Sequence, residues 1–216
     1  MSSNPKHDYE AWEAYPKHHR YFNKLDLALR LGYRAGPSGT APSSLDEYIV
    51  RPAYNLEGMG LNARFELLGP EDGIKVKPGE FWCERFYGHH ISVDYRWNRT
   101  DLTPYFACQG FRARSELYRF TCWKCIPIPS IPLPKFVYEL TDVTHINVEF
   151  IGDKIIEIHL RPGSDFPEGA TDIIPLWSDD GPAHRELLEK RGWKFKENHE
   201  DAGGHMEIYR VGFMYR

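Results

Sequence analysis

HINVEFIGDKIIEIHLR, residues 145 to 161, alternates apolar and polar side chains on both sides of Gly152-Asp153-Lys154. That period of two predicts a β-hairpin, with Ile146, Val148 and Phe150 on one strand and Ile156, Ile158 and Leu160 on the other. Register decides which polar residues face each other, because a one-residue slip turns a whole strand over. A loop of Gly152 and Asp153 alone would set Glu149 against Ile156. A loop that includes Lys154 pairs Asn147 with His159, Val148 with Ile158, Glu149 with Glu157 and Phe150 with Ile156, and the apolar pattern favours it. Directly opposed carboxylates repel unless a cation lies between them. The polar face is therefore either a divalent-metal site or the solvated side of a half-buried sheet.

Working outward, the first 20 residues carry no clean period and predict an irregular arm. YFNKLDLALRLGY, from Tyr21, spaces Phe22, Leu25 and Leu29 as a short amphipathic helix that Gly32 would stop. After the Gly/Pro/Ser loop of 34–44, DEYIVRPAYNLEGMGLNARFELL, residues 46–68, predicts a hairpin with a glycine-bearing tip. Arg51, just before Pro52, is either a rim residue with its head in water or a group facing a phosphate beneath the glycine loop. GEFWCERFYGHHISVDYRW, 79–97, reads as two strands turning at Gly88. SELYRFTCW predicts a short strand or helix, and IPIPSIPLPKF an extended, buried crossing. Ile173 to Trp177 predicts a strand, and Gly181 to Gly192 a helix with Asp179 or Asp180 as N-cap and Pro182 in its first turn. Two further strands flank His199 to Gly204. Strand pairs with few helices predict an α+β fold rather than alternating βαβ units.

Composition sets the class. With 216 residues, 41% hydrophobic and 27% charged, the chain can bury a core of its own. A net charge of -4 gives no general pull toward nucleic acid or an anionic membrane. There is no signal-like start and no apolar run of about 18 residues, so a soluble, cytoplasmic protein is expected. Cys122 and Cys125 form a CxxC, but Cys83 and Cys108 are not spaced as a second pair and prolines follow at once. Buried thiols are the default over zinc or redox chemistry.

Three lines, in order, resemble the ATP-grasp superfamily: YIVRPAYNLEGMG, WCERFYGHHISVDY and VEFIGDKIIEIHLR. In that superfamily they are a phosphate-binding basic residue before Pro and a glycine-rich hairpin, a linker ending in an acidic residue, two apolar residues and Gly, and a carboxylate-bearing strand pair. The match spans residues 46 to 161, and the third line departs from the family's Glu-x-Asn-x-Arg only at His159. The resemblance implies two α+β lobes with antiparallel sheets clamping a nucleotide. It divides the chain into an arm and short helix (1–44), a small clamping lobe (45–87) and a large lobe with the metal and substrate site (88–216). With no room for the family's usual preceding substrate domain, a minimal member of the kind a virus encodes is expected.

The same resemblance implies ATP and Mg2+ as cofactors and a ligase that joins a carboxylate to an amine through an acyl phosphate, making an amide or peptide bond. It places Arg51 on the phosphates under the tip that holds Asn55, Gly58 and Gly60, and Glu84, Arg85 and Tyr87 around the adenine. His90 stands just after Gly88, where an acidic ribose ligand is expected. Glu149, Glu157 and His159 hold the metal, with His159 in place of the usual asparagine, and Arg161 lies near the transferred phosphate. Arg51, Arg161 and the glutamates are the expected catalytic set. Two other readings stay open: a catalytically degenerate nucleotide-binding protein acting through a macromolecular partner, and a small metal enzyme using His89, His90, His145 and His159. Arg112, Arg114, Arg119 and Lys124 either steer an anionic substrate or form a solvated face.

Overall fold

The computed structural model describes residues 4–56, 60, 62–112, 117–163, 166–167, 169–197 and 208–216. Two antiparallel sheets divide the strands. The small one has the order β1-β4-β2-β3, from β1 (Ala35–Pro37), β2 (Asp46–Pro52), β3 (Arg64–Leu68) and β4 (Glu80–Glu84). The large one contains eight strands in the order β11-β12-β10-β7-β6-β5-β8-β9. Its members are β5 (His90–Asn98), β6 (Asp101–Arg112), β7 (Phe120–Cys125), β8 (His145–Ile151), β9 (Lys154–His159), β10 (Asp172–Trp177), β11 (Lys194–Glu197) and β12 (Arg210–Tyr215). Among the described residues three α-helices, α1 (Asp8–Ala14), α2 (Lys24–Arg30) and α3 (Pro182–Lys190), complete an α+β fold.

Two expectations change here. The arm is not irregular: α1 starts where the Glu10 carboxylate accepts from the N–H groups of Lys6 and His7, and a 3-10 helix, Pro16–Phe22, leads into α2. Those N–H groups would otherwise lack partners at the helix start. The N-cap of α3 is Gly181, because the two aspartates expected there are engaged elsewhere. Asp179 and Asp180 both accept from Arg119, and Asp180 also takes the N–H of Trp177.

The large sheet owes its two faces to strand alternation. Val93, Tyr95, Ile146, Val148, Phe150, Ile158 and Leu160 face the core, where Ala11, Tyr21, Phe22 and Leu27 of the N-terminal segment cover them. Fully burying a side chain of this size contributes about 1.5–3 kcal/mol. α2 and the 3-10 helix also lie against β9, shielding what would be an open sheet edge. The opposite face carries Ser92, Asp94, Asn147, Glu149, Glu157 and His159 toward the small sheet.

The β8–β9 hairpin has the expected polar pairing but a different turn. Asn147 pairs with His159, Val148 with Ile158 and Glu149 with Glu157, and then the register shifts so that Phe150 meets Ile155 and Ile151 meets Lys154. The loop is therefore Gly152-Asp153, and a β-bulge at Ile156 absorbs the extra residue. Ile155, not Ile156, joins the core. One tight turn and two opposed glutamates coexist because the bulge separates their registers.

The link from β4 to β5 crosses this turn closely. Gly88 has φ +130, and a Cβ there would sit 2.8 Å from Gly152 Cα. Gly152, at φ +62, donates its N–H to His89 O at 2.9 Å. Neither position has space or backbone freedom for a side chain. Among the described residues no helix is long and apolar enough to cross a membrane.

Candidate functional site

A cavity of about 710 Å³ lies between the sheets. Ile49, Arg51, Cys83 and Arg85, in or next to the strands of the small sheet, roof it, and the polar face of β5, β8 and β9 forms one end of its floor. That size suits a small-molecule site.

Each of the opposed glutamates gives one oxygen to a protein donor and turns the other inward. Glu157 Oε1 accepts from Lys24 Nζ at 2.7 Å and Arg51 Nη1 at 3.1 Å, and Glu149 Oε2 accepts from His90 Nε2 at 3.0 Å. The inward atoms face His159 Nε2, Glu157 Oε2 at 3.4 Å and Glu149 Oε1 at 3.7 Å. Both separations exceed a good hydrogen bond. The shorter falls within the spacing of about 3.0–3.5 Å between donors that share one divalent ion at about 2.1 Å, the longer lies just beyond it, and all three atoms are within 4.8 Å of one another. The three residues thus fit a divalent cation, although a nitrogen corner suits magnesium less well than an oxygen.

His159 is oriented from behind. Its Nδ1 donates to both oxygens of Asp8, at 3.0 and 2.9 Å, and Arg161 clamps the same carboxylate with Nε at 2.9 Å and Nη2 at 3.2 Å. A carboxylate behind the ring fixes which nitrogen faces inward. Burial pulls the pKa of His159 down, but the Asp8 carboxylate outweighs it and the imidazole titrates at about 10. Burial pushes Asp8 up, yet His159 and Arg161 hold it well below the usual carboxylate range. Glu149 and Glu157 are lowered in the same way. Burial opposes their charge, while His159 and His90 favour it on Glu149 and Lys24 leads the cations that favour it on Glu157. A bound ion would have to displace the Nε2 proton of His159.

Arg51 spans the two sheets. Besides Glu157 it donates Nη2 to Ile156 O at 2.9 Å, a carbonyl presented at the bulge. Its Nε–H is buried and meets no acceptor among the described residues, and the same holds for Nε of Arg85. Unmet donors of this kind, lining a cavity, suit an anionic ligand. Deeper in the floor, Asp94 accepts from Asn147 Nδ2 and Gly163 N, each at 2.7 Å, and burial raises its pKa.

The structure brings together Arg51, Gly60, Arg85, His90, Glu149, Glu157, His159 and Arg161 around the cavity. Glu84 and Tyr87 do not line it. The Glu84 carboxylate accepts from the backbone N–H and Nε of Arg34, and Tyr87 is 73% exposed beside Arg85. Asn55 is half-buried outside the lining, and Gly58 lies outside the described residues. The four histidines of the alternative metal reading do not converge, since His89 contacts Gln109 and His145 contacts Asn4. Arg112 faces the cavity, Arg119 is held by Asp179 and Asp180, Lys124 is outside the lining, and Arg114 lies outside the described residues. Cys83 and Cys108 are buried, Cys122 and Cys125 half-buried, and none of the four is in a disulfide.

Sequence reasoning missed Asp8 and Lys24. Their partners lie 151 and 133 residues away, and no local pattern links them. Asn147 and Asp94 were visible only as polar positions in alternating strands.

No family model and no curated protein matches the chain. Solved structures do. An L-amino acid ligase from Bacillus licheniformis superposes with TM-score 0.56 at 9% identity, covering 95% of this chain and 71% of that one. N5-carboxyaminoimidazole synthetase from Staphylococcus aureus, complexed with ADP, gives 0.54 at 14%, covering 93% and 68%. N5-carboxyaminoimidazole ribonucleotide synthetase from Thermus thermophilus gives 0.53 at 11%, covering 95% and 73%. The chain spans 64% to 74% of the length of matching structures. These proteins share the ATP-grasp fold, and so does this chain. At such identities the likeness speaks for the fold alone.

Proposed function

We propose that this ATP-grasp chain is an ATP-dependent ligase that joins a carboxylate to an amine through an acyl phosphate. One observation carries the reading: two glutamates and an imidazole turn three donor atoms toward one point, beneath an arginine from the facing lobe with an unmet buried N–H. Arg51 would bind the nucleotide phosphates through that Nε–H, and Arg85, Phe86 and Gly88 would border the adenine where the lobes join. A magnesium ion held by Glu149, Glu157 and His159 would neutralise charge on the β- and γ-phosphates. A substrate carboxylate oxygen then attacks the γ-phosphorus, the bond from that phosphorus to the bridging oxygen breaks, and ADP leaves. The amine attacks the acyl carbon, and the C–O bond to phosphate breaks with release of inorganic phosphate and a proton. Arg161 stands just past the end of β9, clamped on Asp8 at the cavity wall, where it would offset charge near the transferred group.

Calorimetric titration with a non-hydrolysable ATP analogue, with and without Mg2+, tests this beside Arg51→Ala and Glu157→Ala. Magnesium-dependent binding that both variants lose supports the reading, and no binding by the wild type under any condition refutes it. A second reading, nucleotide binding without turnover, is favoured by the Lys24 ammonium on Glu157 and by the nitrogen corner at His159. Its mark would be binding with no phosphate release from any carboxylate and amine pair.

A further inference from the structure

Arg112 closes β6 and faces the cavity with no carboxylate in ion-pair distance among the described residues. Its guanidinium donates Nη2 to His90 Nδ1 at 2.7 Å and Nη1 to Leu117 O at 2.9 Å. Arginine can only donate, so Nδ1 of His90 is the acceptor and Nε2 carries the proton that goes to Glu149. One imidazole thus ties Arg112 to an inward-facing glutamate. Burial lowers the pKa of this guanidinium, but an arginine keeps its charge at any ordinary pH. A half-buried cation of this kind, beside the phosphate end of a cavity, calls for an anion.

Beyond Arg112 the floor changes character. Phe106, Phe120, Trp123, Trp177 and Phe213 follow the acids and histidines of β5, β8 and β9, with Lys196, Glu197 and Arg210 also in the lining. The ring of Phe120 lies 4.3 Å from that of Trp123, and both meet the His90 ring edge-on, at 5.0 and 5.4 Å. The Arg112 guanidinium sits 4.9 Å from the Phe120 centroid. At the far side Trp177 is 4% exposed, and its buried Nε1–H meets no acceptor among the described residues. Aromatic walls of this kind hold flat, apolar bodies, and an indole N–H without a partner suits one polar acceptor atom on the ligand.

We propose that the acyl substrate is a carboxylic acid with an aromatic body: Arg112 holds the carboxylate toward the γ-phosphate, and the Phe120–Trp123 wall holds the ring. This rests on the ligase reading above. Bidentate pairing would aim the carboxylate, and the His90 link would keep the guanidinium beside the glutamates.

Hydroxylamine trapping tests it without knowledge of the amine. The hydroxylamine nitrogen attacks the acyl phosphate, a C–N bond forms, the C–O bond to phosphate breaks, and a hydroxamate and phosphate result. Phenylacetate, 3-phenylpropanoate and indole-3-acetate are compared with acetate, succinate and glycine, each with Mg-ATP. The expected result is a kcat/KM at least tenfold higher for the aromatic acids. Arg112→Met should lower it about 100-fold or more while affinity for the ATP analogue stays within threefold of wild type. Trp123→Ala should raise KM for the aromatic acids about tenfold with kcat little changed. Equal or better use of the small acids, or full activity in Arg112→Met, overturns the proposal. Nucleotide binding without hydroxamate from any acid overturns it and leaves the nucleotide site standing. Absence of nucleotide binding overturns the ligase reading itself.

Discussion

Replacing Asp8 with asparagine keeps its volume and removes the charge that His159 and Arg161 share. Asp8 is 3% exposed, with four contacts of 2.9–3.2 Å to those two cations. Breaking a buried ion pair from one side costs about 3–5 kcal/mol. The amide oxygen recovers part of that, leaving a loss of about 2–4 kcal/mol. For a domain of this size each kcal/mol moves Tm by about 2–4 °C, so a drop of about 5–15 °C is expected at pH 7. The pH dependence discriminates further. His159 titrates at about 10 in the folded protein against 6.5 when unperturbed. Its contribution is thus fully present below pH 6.5 and lost as pH rises through 10, at up to about 1.36 kcal/mol per pH unit. Asp8, whose pKa is depressed from 3.8, contributes above that value and loses its contribution as pH falls below it. Between about pH 7 and 9.5 the wild type should therefore lose up to about 3 kcal/mol through His159. In Asp8→Asn, burial acts on the imidazole without its main opponent, and that slope should vanish. Urea denaturation in EDTA at the two pH values measures both quantities, and ring-resonance NMR gives the His159 pKa directly. An Asp8→Asn protein within about 0.5 kcal/mol of wild type, or with the same alkaline slope, would refute the reasoning.

Lys24→Met should lower thermal stability by leaving part of the Glu157 charge unpaired, and Mn2+ or Mg2+ should raise Tm more in the variant than in the wild type. Equal metal shifts in a thermal-melt series would count against that. Gly88→Ala, which presses a Cβ to 2.8 Å from Gly152 Cα at φ +130, should cost about 1–3 kcal/mol in denaturant titration. Phe150→Ala empties a fully buried position and should cost about 3–5 kcal/mol by the same assay. Burial raises the pKa of Cys83 to about 12 and also raises Cys122 and Cys125, so native thiols should react with DTNB at about pH 8 far more slowly than denatured ones.

Much of the clamp was legible because β-strands write their faces into the sequence with a period of two. The alternation over residues 145–161 determined which side of the hairpin is core, that Glu149 opposes Glu157, and that His159 stands beside them. The order of the three motif-like lines carried the fold, since each is a local strand-and-turn pattern. A bulge is a local count of residues with no signature in side-chain polarity, so the turn at Gly152-Asp153 and the displacement of Ile156 stayed hidden. The contributions of Asp8 and Lys24 were hidden more deeply, for they depend on where an N-terminal segment docks against β9. The fate of Glu84 likewise turned on Arg34, which an unexpected strand pairing of β1 with β4 brings beside it. What the sequence determined by itself was therefore the alternation of faces and the chemistry of one strand pair. Only the tertiary structure decided which charges compensate those carboxylates and which cation remains for a ligand, because Coulomb energy depends on distance through space and burial, neither of which separation along the chain encodes.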